Sequence, residues 1–206
     1  MLPTLPETSA HYTLLGPGGA DAGAEDITIA RMGAGWRVAG RLATTYPGEV
    51  TARLEWELAG DLSTRLLYIA STDGFGDEYE LELTVTGNGM LAHRSAPDGP
   101  SQVELGWGPG VELDYVSAAF PTVAMARFPL GPGAHREVSA VHIGVDDLEP
   151  QVLEQVWSAA GPGGVLVVTR ATGHRASMAL RQDGLLLSYA GLLRLDTASA
   201  APGDRP

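Results

Sequence analysis

The 206-residue sequence contains no cysteine and no lysine. Without thiols it forms no disulfide, thiolate nucleophile, iron–sulfur cluster or cysteine zinc site. All 13 of its cationic side chains are Arg, set against 25 acidic residues, and the formal net charge is −12. A chain this acidic lacks the basic patch that neutralises phosphates, so nucleic acid is not an expected partner. Long apolar runs are missing as well. The longest aliphatic stretch, Val165-Leu166-Val167-Val168, falls far short of the ~18 to 20 residues a membrane-spanning helix needs. The N-terminal MLPTLPETSAHYTLLG has neither an early Arg nor the apolar core of a signal peptide. The expectation is a soluble, cytoplasmic protein with no membrane-spanning segment.

What the chain has in abundance is backbone punctuation: 27 Gly and 14 Pro, which argues against a helical bundle. A hydrophobic fraction of 44% is enough for one sizeable core. Residues 1–10 and 196–206 are small, polar and Pro-containing and are expected to be frayed ends. A single domain is expected over 11–195.

Within that domain, short runs of period-two alternation are separated by Gly-containing turns, the pattern of an all-β meander. Tyr79 to Thr86 places Tyr79, Leu81, Leu83 and Val85 on one face and Glu80, Glu82, Thr84 and Thr86 on the other. It enters Gly87-Asn88-Gly89 and returns through Met90 to His93, a hairpin signature. Ser177–Arg181, a turn at Asp183-Gly184 and Leu185–Tyr189 form a second hairpin, preceded by the β-branched run Val165–Arg170. Arg53–Leu58 with Ser63–Ala70, Asp26–Met32 with Trp36–Leu42, and Glu137–Val145 bring the expectation to ten strands or more. Two segments are candidate helices, Ser117–Arg127 and Leu148–Trp157, each with a Pro suited to a first turn. Each is short enough to be a strand instead, and at least one short helix is expected.

Signals for catalysis or cofactors are weak, and no cofactor is expected. None of the five His, at 11, 93, 135, 142 and 174, is followed three or four residues later by a second His or carboxylate, apart from His142 with Asp146 on what reads as a strand. No G-x-S-x-G elbow is present. Met32 to Gly40 is Gly-rich but lacks dinucleotide-loop spacing and a following helix, so a hairpin turn is expected there. Asp73-Gly74-Phe75-Gly76-Asp77-Glu78 gathers three carboxylates. A solvated turn is the stronger reading than a calcium loop.

Three segments carry a family resemblance. Val111 to Phe128, with Asp114 and Arg127 at the matching ends, resembles the central motif of a bacterial family, the "putative glycolipid-binding" proteins. Gln155-Val156-Trp157 is similar to that family's Gln-x-Tyr, and Leu180 to Arg194, through Asp183-Gly184 and Tyr189-Ala190-Gly191-Leu192, is similar to its closing motif. The departures are a missing Thr-Asn pair, with Ala118-Ala119-Phe120 near its place, a single Arg for a pair, and Ala190 for a Pro. The resemblance spans about residues 11–195. It implies a mainly β fold, a spiral β-roll in which a long curved antiparallel sheet wraps around one short α-helix, similar in shape to bacterial lipoprotein carrier proteins.

The function so implied is non-enzymatic binding of a lipid or glycolipid-like small molecule inside the roll. Asp114, Arg127, Gln155, Trp157 and Tyr189 are the candidate polar and aromatic ligand residues, and Leu67, Ile69, Leu81 and Leu83 the apolar ones. Arg127 would meet a phosphate or carboxylate head group, or else fix registry through a salt bridge to Asp114. Two alternatives stand beside this reading. One is a small hydrolase or isomerase using His142 and a nearby carboxylate. The other is a packed roll acting through its surface, as a homodimer joined by strand edges or by an aromatic patch at Trp107 and Tyr115.

Overall fold

A computed structural model describes residues 4–87, 89–108 and 111–196. The alternation dictates the architecture. The first eight strands form one antiparallel meander: β1 (Thr8–Leu15), β2 (Asp21–Met32), β3 (Gly35–Thr44), β4 (Val50–Leu58), β5 (Thr64–Asp73), β6 (Glu78–Thr86), β7 (Gly89–Ser95) and β8 (Ser101–Gly106). After β9 (Val111–Asp114) and the helix α1 (Ala119–Arg127), a second meander follows. It comprises β10 (His135–Ile143), β11 (Pro150–Ala159), β12 (Gly164–Thr169), β13 (Arg175–Leu180), β14 (Leu186–Tyr189) and β15 (Leu193–Leu195).

All 15 strands among the described residues share one sheet, ordered β8 through β1 and then β15 through β9. β15 pairs antiparallel with β1, Tyr12 opposite Leu195 and Leu14 opposite Leu193, which joins the two meanders. The two edges, β8 and β9, are consecutive in the chain, so the sheet must curl until its ends come close. The side chain of Arg94, on β7, reaches across to the far meander and donates from Nε to the carbonyl of Asp147 at 2.7 Å. One correction concerns strand direction: β9 and β10 are parallel, with Asp114 opposite His142. The crossover through α1 returns the chain to the same end before β10 begins, which a hairpin cannot do.

The helix fills the roll. Every residue from Ala119 to Met125 is buried, as expected for a helix that is apolar all round. Phe120 stacks on Trp56 of β4 with ring centroids 4.8 Å apart and meets Tyr115 edge-on at 5.8 Å. Pro121 sits in the first turn, where its missing N–H breaks no intrahelical bond. The N-cap residue Ala118 has no side-chain acceptor of its own, and its N–H donates instead to Glu25 Oε2 of β2 at 2.9 Å.

Of the two candidate helices, only the first forms. Leu148–Trp157 becomes a loop and β11, whose residues pair along their length with β10. Leu148 has a positive φ of 55°, a conformation costing about 1–3 kcal/mol, and its side chain is fully buried, which offsets that cost. β1 begins at Thr8 and Leu5 is buried, so ordered structure reaches into the segment expected to fray. Of the C-terminal segment, Asp196 is described and accepts a hydrogen bond from Thr13 at 2.8 Å, while 197–206 lie outside the described residues. The hairpin across 87–89 forms with Thr86 opposite Gly89; Asn88 itself lies outside the described residues.

Candidate functional site

The interior faces of the strands bring the functional candidates together. Along β9, Glu112 and Asp114 point the same way, and registry places them opposite Ala140 and His142. From β11 inward, Val138 pairs with Gln155, Trp157 with Val167, and Met178 with Tyr189. One narrow space between this wall and the helix is therefore lined by Asp114, Gln155, Trp157 and Tyr189 together with Pro121 and Ala124. Four of the nine candidate residues converge there. The space measures only about 10 Å³, no more than one water, and Trp157 Nε1 closes part of it by donating to Gln155 Oε1 at 2.7 Å.

Two larger cavities flank this narrow space, one at each end of α1. At the helix N-terminus, a cavity of about 160 Å³ lies among Leu14, Thr44, Asp114, Tyr115, His142 and Leu192, among others. His142 Nδ1 is 3.1 Å from Asp114 Oδ2. That hydrogen bond, opposed by partial burial, raises the pKa of His142. Tyr115 and Tyr189 are raised as well, by burial first. The Tyr115 hydroxyl, Glu25 Oε1 and Ser71 Oγ are buried atoms without a hydrogen-bond partner. Burial pushes the Glu25 carboxyl up to about 7 even though Ser117 and the Ala118 N–H stabilise its charge.

At the helix C-terminus, a groove of about 590 Å³ runs between Met125, Ala126 and Leu130 on one side and Val165, Leu180 and the 181–184 turn on the other. Gly163, in the loop forming its floor, has φ +68°, and a Cβ there would meet the Leu180 carbonyl at 2.8 Å, so glycine is required. Asp183 accepts from Arg181 Nε at 2.9 Å on the rim.

The expected Arg127–Asp114 pair does not form. The nine-residue helix runs back along β9 for about 13 Å, so it carries Arg127 to the start of that strand while Asp114 stays at the far end. Arg127 Nη1 donates to the Val111 carbonyl and to Glu112 Oε1, both at 3.2 Å, and its guanidinium lies over Trp107 and Phe128. Burial of Glu112 outweighs the nearby Arg127 and Arg136 charges and pushes its pKa up to about 8.

Leu67, Ile69, Leu81 and Leu83 are all fully buried and pair across β5 and β6, Leu67 with Leu83 and Ile69 with Leu81. None of them lines the cavities described above. A further hollow of about 530 Å³, bordered by Arg41, Arg53 and Glu80, opens near the outer faces of β3 to β6. Trp107 and Tyr115, considered as a surface patch, are both buried. Asp73 Oδ1 accepts from the N–H groups of Phe75 and Asp77, closing its own turn. Among the described residues no helix is long and apolar enough to cross a membrane.

The sequence reading missed Glu25, Glu112 and the groove. The signal for the two carboxylates was present: alternation places Glu25 on the face of Ile27 and Ile29, which are buried, and Glu112 on the face of Asp114. The groove is assembled by loops 130, 161–164 and 181–184, which no local pattern links.

No curated protein matches the chain. Among solved structures it is similar to a DUF1089 family protein from Pseudomonas aeruginosa, at 20% identity over 84% of this chain and 91% of that one, with a TM-score of 0.58. It is also similar to a β-barrel-like protein of the domain of unknown function DUF1849 from Brucella abortus, at 9% identity over 93% and 96% of the two chains, with a TM-score of 0.53. At these identities the likeness speaks to the fold. The family model described as "putative glycolipid-binding" matches residues 19–194, and with nearly the whole roll so covered, the chain belongs to that family.

Proposed function

We propose that the protein binds an amphiphile of the glycolipid class, with the apolar chain lying in the groove at the C-terminal end of α1. The observation carrying this reading is the groove itself. Its volume of about 590 Å³ falls in the range of small-molecule sites, which are mostly apolar with a few polar groups at the rim. Met125, Leu130, Val165 and Leu180 supply the apolar wall, while Arg181 and Asp183 stand at the edge. Each methylene withdrawn from water there contributes about 0.8 kcal/mol. The acidic net charge of −12 favours a neutral or zwitterionic amphiphile over an anionic one.

The test is native mass spectrometry and titration with octyl β-glucoside against wild type and Ala126→Trp, whose indole fills the groove. Saturable binding by wild type that the variant loses, with an unchanged melting temperature, supports the reading. Equal binding by both proteins overturns it.

A second reading, hydrolysis of an ester or glycoside, is favoured by the 3.1 Å contact of His142 with Asp114. His142 would take a proton from water while Asp114 orients the imidazole. Turnover of nitrophenyl esters or glycosides above background that disappears in His142→Ala would support it, and background rates across the panel would remove it.

A further inference from the structure

The hollow on the outer face of β3 to β6 shares no lining residue with the groove. Strand alternation sends Arg41, Arg53, Ala70 and Glu80 outward, between neighbours that are buried. Pairing sets these four in one row, Arg41 opposite Arg53, Arg53 opposite Ala70 and Ala70 opposite Glu80. Thr51, Thr72 and Glu78 form the next row. The short side chains of Ala70, Thr51 and Thr72 are thus walled by long ones, which leaves a space of about 530 Å³, within the range of small-molecule sites.

The walls are opposite in sign. Arg41 and Arg53 stand on β3 and β4, and Glu78 and Glu80 stand together on β6. Like charges directly opposite on neighbouring strands repel, and the acids beside the two arginines are engaged elsewhere. Asp26, opposite Arg41 on its other side, is 2.7 Å from His11 Nδ1, and Glu55 accepts from Arg37 at 2.6 Å. Arg41 and Glu78 have no hydrogen-bond or ion-pair partner among the described residues. Between the walls, the Tyr68 hydroxyl donates to Glu80 Oε1 at 2.6 Å and accepts from Arg53 Nη2 at 3.5 Å. One phenol therefore holds a guanidinium and a carboxylate within about 6 Å of each other.

This arrangement selects by charge. A lone anion is opposed by Glu78 and Glu80, and a lone cation by the two guanidinium groups. A molecule carrying a carboxylate and an ammonium a few ångströms apart satisfies both walls, accepting charge-assisted bonds from the arginines and donating them to the glutamates. We propose that the outer hollow binds a free α-amino acid, its carboxylate on Arg41 and Arg53, its ammonium on Glu78 and Glu80, and its side chain over Ala70. The site lies outside the roll and is independent of the amphiphile groove.

The experiment is a residue-resolved NMR titration of the full chain with L-alanine, L-leucine, L-glutamate and L-lysine, and with propionate and ethylamine, the two halves of alanine. The expected result is that at least one amino acid shifts the amides of Arg53, Ala70 and Glu80 saturably. Propionate and ethylamine should bind about tenfold more weakly, each having lost one set of charge-assisted bonds. Arg41→Gln and Glu78→Gln should each weaken the amino acid about tenfold for the same reason. Because neither side chain has a protein partner, both variants should melt as wild type does, so a loss of binding there is not a loss of fold. Propionate binding as tightly as the amino acids overturns the two-walled site and leaves a plain anion site. Binding that both variants retain, or no shift at the hollow with any amino acid, also overturns it.

Discussion

From β3 to β7 the interior face carries Val38, Leu54, Trp56, Leu67, Ile69, Leu81, Leu83 and Ala92, all buried, and Phe120 of the helix is pressed onto Trp56. From β11 to β14 the interior face carries Gln155, Trp157, Val167, Met178 and Tyr189, and a narrow space separates these from the same helix, with a wider space at each helix end. The two faces of one helix thus meet different walls. Where the sheet offers mainly aliphatic side chains together with Trp56, the helix packs directly against them through Phe120. Where inward positions mix an amide, aromatics, Val and Met, Trp157 Nε1 donates to Gln155 Oε1 and a narrow space remains against Pro121 and Ala124 of the helix. Room for a ligand follows from the second kind of wall.

This contrast breaks most sharply under truncation. Leu81→Ala is expected to cost about 4–5 kcal/mol, because the packed side cannot collapse around the void, whereas Met178→Ala, beside space already present, should cost about 2 kcal/mol. Urea denaturation of both variants reads the difference, and equal losses would erase the distinction between the two walls.

The two ends of the helix offer a second comparison, because each holds a buried carboxyl but only one has a cation. Arg127→Met leaves Glu112 without its partner, and above pH 9 this should cost about 3–4 kcal/mol. At pH 6 the loss should be smaller, since Glu112, with its pKa raised to about 8, is then protonated. Melting curves at the two pH values decide it, and a pH-independent loss would place the role of Arg127 in its packing over Trp107 and Phe128.

Glu25 gives the smaller effect. Its folded pKa of about 7 lies above the ordinary 4.5, so the folded state holds the proton more tightly than the unfolded chain. The stability linked to that proton is fully present below about pH 4.5 and is lost as pH rises through about 7, a swing of roughly 3 kcal/mol. Glu25→Gln should flatten the wild-type decline between pH 5 and pH 8 by about that amount, as measured by stability against pH.

Much of the roll was legible. The strands of 79–86, 53–58 and 165–170 followed from period-two alternation, because a half-buried strand must alternate. Leu148–Trp157 misled because Pro150 fits a helical first turn as well as the first residue of a strand, and pairing with β10 settles the choice. Asp114, Gln155, Trp157 and Tyr189, taken together from the family's motifs, line one space, whereas Arg127 meets Glu112 and not Asp114, since sequence order puts both acids of β9 within reach and only the helix direction separates them. The chain groove was invisible because its walls combine the end of α1, residues of β12 and β13 and the loops beside them, which no local pattern joins.

The central claim is that ligand capacity lies along the helix face toward β11–β14 and not in the aliphatic interior of β4–β6. A methyl-resolved NMR titration with octyl β-glucoside tests it most directly. The account predicts that the methyl signals of Met125, Val165 and Leu180 move saturably while those of Leu67, Ile69, Leu81 and Leu83 stay still. Shifts confined to the latter four would contradict it and return the ligand to the centre of the roll.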